Sequence, residues 1–433
     1  MKTIVLLSKW FMTIVCIISS AVPVFGQVPE LSSEQYKERV LSYSRQVRQS
    51  SAEAKAMIEA VKVARTAFFP GVDFAGNYQY RINKYDMAFG PSSIAMDHNT
   101  YSFEAGVSQP IYAGGQIYNS YKAAQIQGKV AELAVTLTID NMTRAAEVTY
   151  WSASANKRLY EIMSQYVDIV KELAAVLTIR FEDGQISKTD LLQVEARLKE
   201  AQLNKSNSYK NYQLSLQSLN TLMGVPPMEP VEVANSISTP LPLPLKAGET
   251  AILENRPDYQ ISLLDIDYQK RQINLAKAKY NPTLAIGFKE AWGTQMLNVK
   301  GSDKMWNSML YASLQIPIFH WGARFKSVNM QKALLVSKQY AADATRDQVS
   351  QEVANAWTSL QEYTKQINMA KEGCLIAVEN LDLNTFSYNE GKLPILDVLS
   401  AQLSWIQAYS SLIQVELQQK VSLADYNKAI GNQ

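Results

Sequence analysis

Two segments of this 433-residue chain place an acid in the same setting. They are residues 181–196, FEDGQISKTDLLQVEA, and residues 388–403, YNEGKLPILDVLSAQL. In each, an aromatic (Phe181 or Tyr388) is followed three residues on by a glycine (Gly184 or Gly391) and six further by an aspartate (Asp190 or Asp397). The glycines suit the left-handed residue that ends a helix. The aspartates suit the first turn of the next helix, where the macrodipole favours an anion. Little else in the chain invites catalysis. Beyond the expected signal only Cys374 remains, and His98, His320 and one cysteine cannot supply an ordinary zinc site. No Ser–Asp–His set occurs in a nucleophile-elbow context, and no glycine loop is built for phosphate. An exported hydrolase is therefore disfavoured, no cofactor is expected, and the chemistry open to these acids is electrostatic.

The elements that position them begin after a segment to be set aside. Residues 1–26 carry Lys2 and Lys9, an apolar run over 10–18, and a small-residue ending at Gly26. That is the layout of a cleaved secretory signal. The residues before Cys16, Thr13-Ile14-Val15, lack the small residue that precedes a lipidated cysteine. Removing the signal takes two lysines from 42 basic residues and leaves 40 against 40 acidic ones. A neutral balance argues against a nucleic-acid partner. Cys374 then remains without a disulfide mate. No stretch of the mature chain is long and apolar enough for a spanning helix, so membrane insertion would have to use strands.

At an offset of 207, residues 110–224 lie over residues 317–431 without a gap. Pro110 falls on Pro317, Gly115 on Gly322, Gly184 on Gly391, Asp190 on Asp397 and Gly224 on Gly431. The shared offset predicts a duplicated unit. The first repeat covers 27–224, with a β-hairpin at about 71–110, a long helix over 113–181 and a returning helix over 188–223. A proline-rich linker, 225–247, is expected to cross in extended form. The second repeat covers 248–433, with a hairpin at about 282–317, a long helix over 322–387 and a returning helix over 394–430. Pro110 and Pro317 are expected to end strand pairing, with Gly115 and Gly322 redirecting the chain. Helices of some 65 residues, about 100 Å at 1.5 Å per residue, do not belong in an ordinary globular domain.

The strands alternate apolar and polar residues over about ten positions, the length of a tilted membrane strand. Tyr78, Tyr80, Tyr101, Trp292 and Trp306 fall mainly at strand ends, where interfacial aromatics gather. In lipid no sheet edge can stay unpaired. Four strands cannot close a barrel alone, so two chains giving eight strands or three giving twelve would be required.

The order strand, strand, long helix, helix, written twice, resembles the TolC outer-membrane efflux channel family. So do the steps "QPIYAGG" and "IPIFHWG" and the shared pattern around Gly184 and Gly391. The resemblance covers essentially the whole mature chain. It implies a mainly helical fold with membrane β: a homotrimer whose twelve-stranded outer-membrane barrel continues as a periplasmic helical barrel. It also implies an inner-membrane transporter and a periplasmic adaptor, the membrane fusion protein, as partners. The turns would then form the tube's periplasmic tip, with Phe181, Gly184, Tyr388, Gly391 and Leu393 at the adaptor surface. Asp397 would form a carboxylate ring at the pore constriction. The family's second acidic ring falls on Ser400, and its tip lock of Asp, Tyr and Arg falls on Asp190, Tyr388 and Leu393, so one ring and the lock arginine are absent. The function implied is an exit duct for small molecules in a tripartite efflux system. Two other readings share many of these features: an outer-membrane channel for type I protein secretion, and a soluble periplasmic coiled-coil scaffold that would need no detergent for extraction.

Overall fold

The computed structural model describes residues 30–83, 86–294 and 305–431. The expected signal, 1–26, lies outside them. Sixteen elements follow one another among these residues: β1 (Glu30–Leu31), α1 (Ser33–Tyr43), α2 (Arg45–Thr66), β2 (Gly71–Tyr80), β3 (Asp86–Phe89), β4 (Ser92–Ala95), β5 (Asn99–Ala113), α3 (Gln116–Glu182), α4 (Lys188–Met223), β6 (Glu232–Val233), α5 (Glu249–Asn255), α6 (Pro257–Ala278), β7 (Thr283–Gly293), β8 (Met305–Gln315), α7 (Ala323–Asn389) and α8 (Ile395–Ala429). The two long helices have 67 residues each, and the helices that follow them have 36 and 35.

The chain forms two compact units that cut across the sequence repeats. One contains residues up to 44, 141–245 and 356–428; the other contains 45–140, 246–355 and the C-terminal residues from 429. Each sequence repeat supplies part of both, because each long helix contributes its two halves to different units.

In the strand-bearing unit β2, β5, β7 and β8 form one antiparallel sheet in that order. Strand alternation and register put Val72, Phe74, Tyr78 and Tyr80 on the same face as Tyr101, Phe103 and Val107. Ile286, Phe288, Trp292, Trp306, Leu310 and Leu314 continue that apolar face. The other face carries Asp73, Asn77, Ser102, Glu104, Lys289 and Asn307, with Lys289 paired to Glu104. Met309 and Tyr311 lie on this polar face, and the Tyr311 ring covers Gly287 across the ladder. Glu290 is the charged exception on the apolar face, where the Ser308 hydroxyl donates to it at 2.6 Å. The segment between β2 and β5 contains the further hairpin β3–β4.

Pro110 does not end the ladder. It stands opposite Ala285, the register shifts past Ile111, and pairing resumes at Tyr112 with Leu284 and ends at Ala113 with Thr283. A proline removes one ladder donor, and the bulge absorbs that loss without terminating the strand. The hairpin therefore reaches 113 rather than 110. In the second copy β8 stops at Gln315, so Pro317 lies beyond the sheet. The long helix begins at 116 rather than 113 because Gly114 and Gly115 have φ of 63° and 87°, outside helical space. In the second copy Trp321 (φ 47°) and Gly322 (φ 73°) hold the same places. A side chain at Gly114 would meet the Ala278 carbonyl at 2.7 Å and Asn281 at 2.9 Å. Trp321 is 90% exposed, which lets a bulky residue occupy the left-handed position at its counterpart.

At the end of this unit Arg256 is buried, donating to Asp258, to Glu352 at 2.9 Å and to the Ala429 carbonyl at 3.2 Å. Burial alone would raise the Asp258 carboxyl, but hydrogen bonds and charge from Arg256 outweigh it and hold the group lower.

The other unit has its core around Tyr36, Val40, Tyr150, Val170 and Leu219, all fully buried. The linker is pinned onto it: β6 pairs parallel with β1, and the buried Asn220 side chain donates to the Pro227 and Glu229 carbonyls. Lys420 is also buried. Its ammonium donates to the Thr239 carbonyl and lies 4.7 Å from the centre of the Trp151 ring. Burial pushes it down to about 8, against a partial opposing pull from Glu416. The Glu416 carboxyl is itself raised by burial, though Ser238 donates to it at 3.0 Å.

Gly114→Ala is expected to destabilise the detergent-purified protein by about 1–3 kcal/mol, whereas Trp321→Gly is neutral or stabilising. Thermal unfolding of the two variants side by side checks the contrast. Lys420 yields a second expectation. Between pH 8 and the ordinary lysine value of 10.5 the folded chain binds fewer protons than the unfolded chain, so stability rises with pH. The gain is on the order of 1–3 kcal/mol. Unfolding midpoints at pH 7.5 and 9.5 measure it, and Lys420→Met removes this part of the slope.

Candidate functional site

The two repeated turns close their helices identically. Gly184 (φ 72°) donates to the Phe181 carbonyl, and Gln185 reaches back to Arg180. Gly391 (φ 71°) donates to Tyr388, and Lys392 reaches back to Ser387. This is the Schellman closure, and it satisfies carbonyls that a helix end otherwise leaves open.

The returning helices open differently. Ser187 caps α4: its hydroxyl accepts from the Asp190 amide at 3.2 Å and donates to the Asp190 carboxylate at 2.9 Å. The Ser187 amide also donates to that carboxylate at 3.3 Å, completing a reciprocal capping box. Pro394 occupies the equivalent place before α8, and a proline has neither hydroxyl nor amide hydrogen to offer. Among the described residues the half-buried Asp397 carboxylate makes no hydrogen bond or ion pair. The Asp190 carboxylate is thus engaged by its own helix as a capping group. Ser400 is exposed one turn past Asp397.

Behind these turns a small apolar cluster joins both hairpins. Ala174 and Leu177 from α3, Val194 from α4, Tyr388 from α7, and Ile395, Val398 and Leu399 from α8 are buried together. The matched aromatics thus part ways: Tyr388 is buried in this cluster, while Phe181 and Leu393 are half-buried outside it. No hydrogen bond joins Asp190 to Tyr388, and the Tyr388 hydroxyl has no partner. What meets Tyr388 instead is Arg180. Its guanidinium lies 5.0 Å from the ring centre, and it donates to the Asn389 side chain at 3.3 Å. Position 393, where the resemblance places the lock arginine, is a leucine. The arginine comes from the other hairpin, one residue before Phe181, and only a contact across the repeat reveals it.

The junction residues Pro110, Gly115, Pro317 and Gly322 sit at the opposite ends of the long helices, in the strand-bearing unit. The strand aromatics gather at the sheet end distal to those junctions. Tyr78 pairs with Tyr101, Trp292 with Trp306, and Tyr80 stands opposite Asn99. Ring centres are 5.7 Å apart for Tyr101 and Trp292 and 6.2 Å for the two tryptophans. They make one continuous aromatic band across four strands.

Arg180→Ala is expected to loosen the contact between the hairpins by about 0.5–1 kcal/mol, the range of a partly exposed cation–π pair. Hydrogen exchange should then accelerate about two- to fivefold over residues 386–396 and stay unchanged around Tyr150.

Comparison with known proteins agrees with this architecture. The chain is 23% identical to the outer membrane protein TolC of Escherichia coli (strain K12) over 406 residues, covering 89% of this chain and 79% of that protein. It is 26% identical to nodulation protein T of Rhizobium leguminosarum bv. trifolii over 258 residues, 58% of this chain; the match spans only 55% of that relative's length. Among solved structures, a membrane protein from Pseudomonas aeruginosa superposes with a TM-score of 0.81 at 18% identity, covering 93% of this chain and 91% of the other. The family model for outer membrane efflux proteins matches residues 37–225 and 250–432. The chain therefore belongs to the outer membrane efflux protein family and is a TolC-like channel protein of the outer membrane that extends into the periplasm.

Proposed function

We propose that this chain is the exit duct of a tripartite efflux system, conducting small molecules passively from a pump and its adaptor to the exterior. One observation carries the reading. A four-stranded sheet with one apolar face and an aromatic band leads directly into 67-residue helices, and its outer strands β2 and β8 each have one edge unpaired among the described residues. Three copies would pair those edges into a twelve-stranded barrel, with the apolar face toward lipid and Glu104 and Lys289 toward the lumen. The repeated unit, read as a duplication, would then supply six hairpin turns around one periplasmic opening. Phe181, Gly184, Gly391 and Leu393 would meet the adaptor there. Three copies of Asp397 would ring the constriction, since that carboxylate, unlike Asp190, has no helix cap to hold it.

Planar-bilayer recording on the detergent-purified, cross-linked protein tests both parts of the proposal. A trimer with discrete conductance steps is expected, and a monomer without pores overturns the duct. Asp397→Ala should raise single-channel conductance and weaken block by trivalent cations. Three half-buried charges at ~0.5 kcal/mol each correspond to about tenfold. Asp190→Ala should leave the block unchanged, and the same result for Asp397→Ala would sink the ring.

A further inference from the structure

The mature chain is neutral, yet the strand-bearing unit concentrates positive charge in one place. Helices α2, α3 and α6 enclose an open cavity of about 760 Å³. Five basic side chains line it, Lys62, Lys122, Lys129, Lys270 and Arg271, against two acids, Glu132 and Asp267. Much of the local charge is not compensated. Asp267 is bound by Lys270 at 2.8 Å, and Lys62 pairs with Glu59 at 2.7 Å. Lys122, Lys129 and Arg271 make no ion pair among the described residues, and Lys122 and Arg271 are half-buried. The Lys122 ammonium is held in position rather than neutralised: it donates to Gln125 at 3.0 Å and lies about 6 Å from the Tyr118 and Tyr121 rings. Partial burial of cations without a counter-ion is unfavourable unless something anionic supplies the missing charge.

The place in the fold indicates what that anion is. Lys62 lies four residues before α2 ends, Lys122 six residues after α3 starts, and Arg271 seven residues before α6 ends. At 1.5 Å per residue these side chains originate about 6–11 Å from the ends of the helices that carry the strands. The headgroup layer beside the hydrocarbon core is about 5–8 Å thick, so Lys62 and Lys122 originate beside it, whereas Lys129, thirteen residues into α3, originates about 20 Å from that helix's start. Between the basic residues, Ile58, Val61, Ile126 and Leu264 give the cavity an apolar floor. Cations around an apolar groove, the nearest of them beside the headgroup layer, suit a phosphodiester attached to acyl chains better than they suit a free ion.

We propose that this cavity is a phosphate-binding site occupied by the headgroup of an anionic phospholipid from the periplasmic leaflet. The inference rests on the outer-membrane location of the chain and not on the identity of its cargo or pump.

Isothermal titration of the detergent-purified full-length protein with dioctanoyl phosphatidylglycerol, dioctanoyl phosphatidylcholine and inorganic phosphate tests the site. Saturable phosphatidylglycerol binding at one equivalent per chain is expected, weaker at high salt and absent with phosphatidylcholine. Lys122→Gln, Lys129→Gln and Arg271→Gln should each weaken it about fivefold, and the triple variant about a hundredfold. Glu132→Gln removes the cavity's unpaired acid and should tighten binding, a change that misfolding would not produce. Inorganic phosphate binding as tightly as the lipid, with the same variant sensitivity, would keep the phosphate site and overturn its assignment to a headgroup. Binding unaffected by the basic substitutions, or no binding of either anion, overturns the site. Channel conductance is independent of these readouts, so loss of the site and loss of the duct remain distinguishable.

Discussion

An unpaired backbone amide or carbonyl costs several kcal/mol in hydrocarbon. The rest of this molecule follows from that constraint. Among the described residues the four-stranded sheet ends at β2 and β8, and in a bilayer those edges would need partners outside it. Its register keeps Phe74, Phe103, Phe288 and Leu310 on one face and Asp73, Glu104 and Lys289 on the other, so the sheet has one apolar side and one polar side. A one-residue slip would exchange those faces. The bulge after Pro110 matters for this reason: it absorbs the proline's missing donor locally, and pairing resumes toward the helix junction.

The long helices face a different problem. Their burial is divided between two units, so neither half is anchored by the other's core. Each unit has its own tether. In one, Asn220 and β6 fasten the linker, and Lys420 reaches the Thr239 carbonyl from inside the core. In the other, Arg256 ties Asp258, Glu352 and the carbonyl of Ala429 together. Both tethers bury a cation, which is unfavourable in isolation and specific when fully bonded. They fix where the extended segments cross the helices, a choice that apolar packing alone leaves loose.

Repetition in sequence has not meant equivalence in structure. Gly114 and Trp321 share a left-handed backbone, but only the glycine is crowded. Ser187 binds Asp190 in a capping box, whereas Pro394 leaves Asp397 without a partner. Tyr388 is buried against the facing hairpin under Arg180, while Phe181 stays half-buried. In each pair the backbone path is kept and the side-chain chemistry diverges.

The sequence by itself determined the elements. A period of two over ten residues marked the strands, proline-free apolar stripes marked the 67-residue helices, and glycines at 184 and 391 marked their ends. These signals are local, set by steric limits on φ and by side-chain direction along one element. The short hairpin β3–β4 and the pairing of β1 with β6 were not legible. Four-residue and two-residue strands have too little periodicity to register, and their pairing depends on segments as much as 202 residues apart. The repeated turns showed the same division. Their aspartates were visible from spacing, but which one is free was decided by the residue three positions earlier and by the cap geometry it permits. The arginine at Tyr388 was invisible because it belongs to the other repeat. Only tertiary structure decides such contacts, since they depend on which faces two helices present to each other after folding, and sequence spacing carries no record of that.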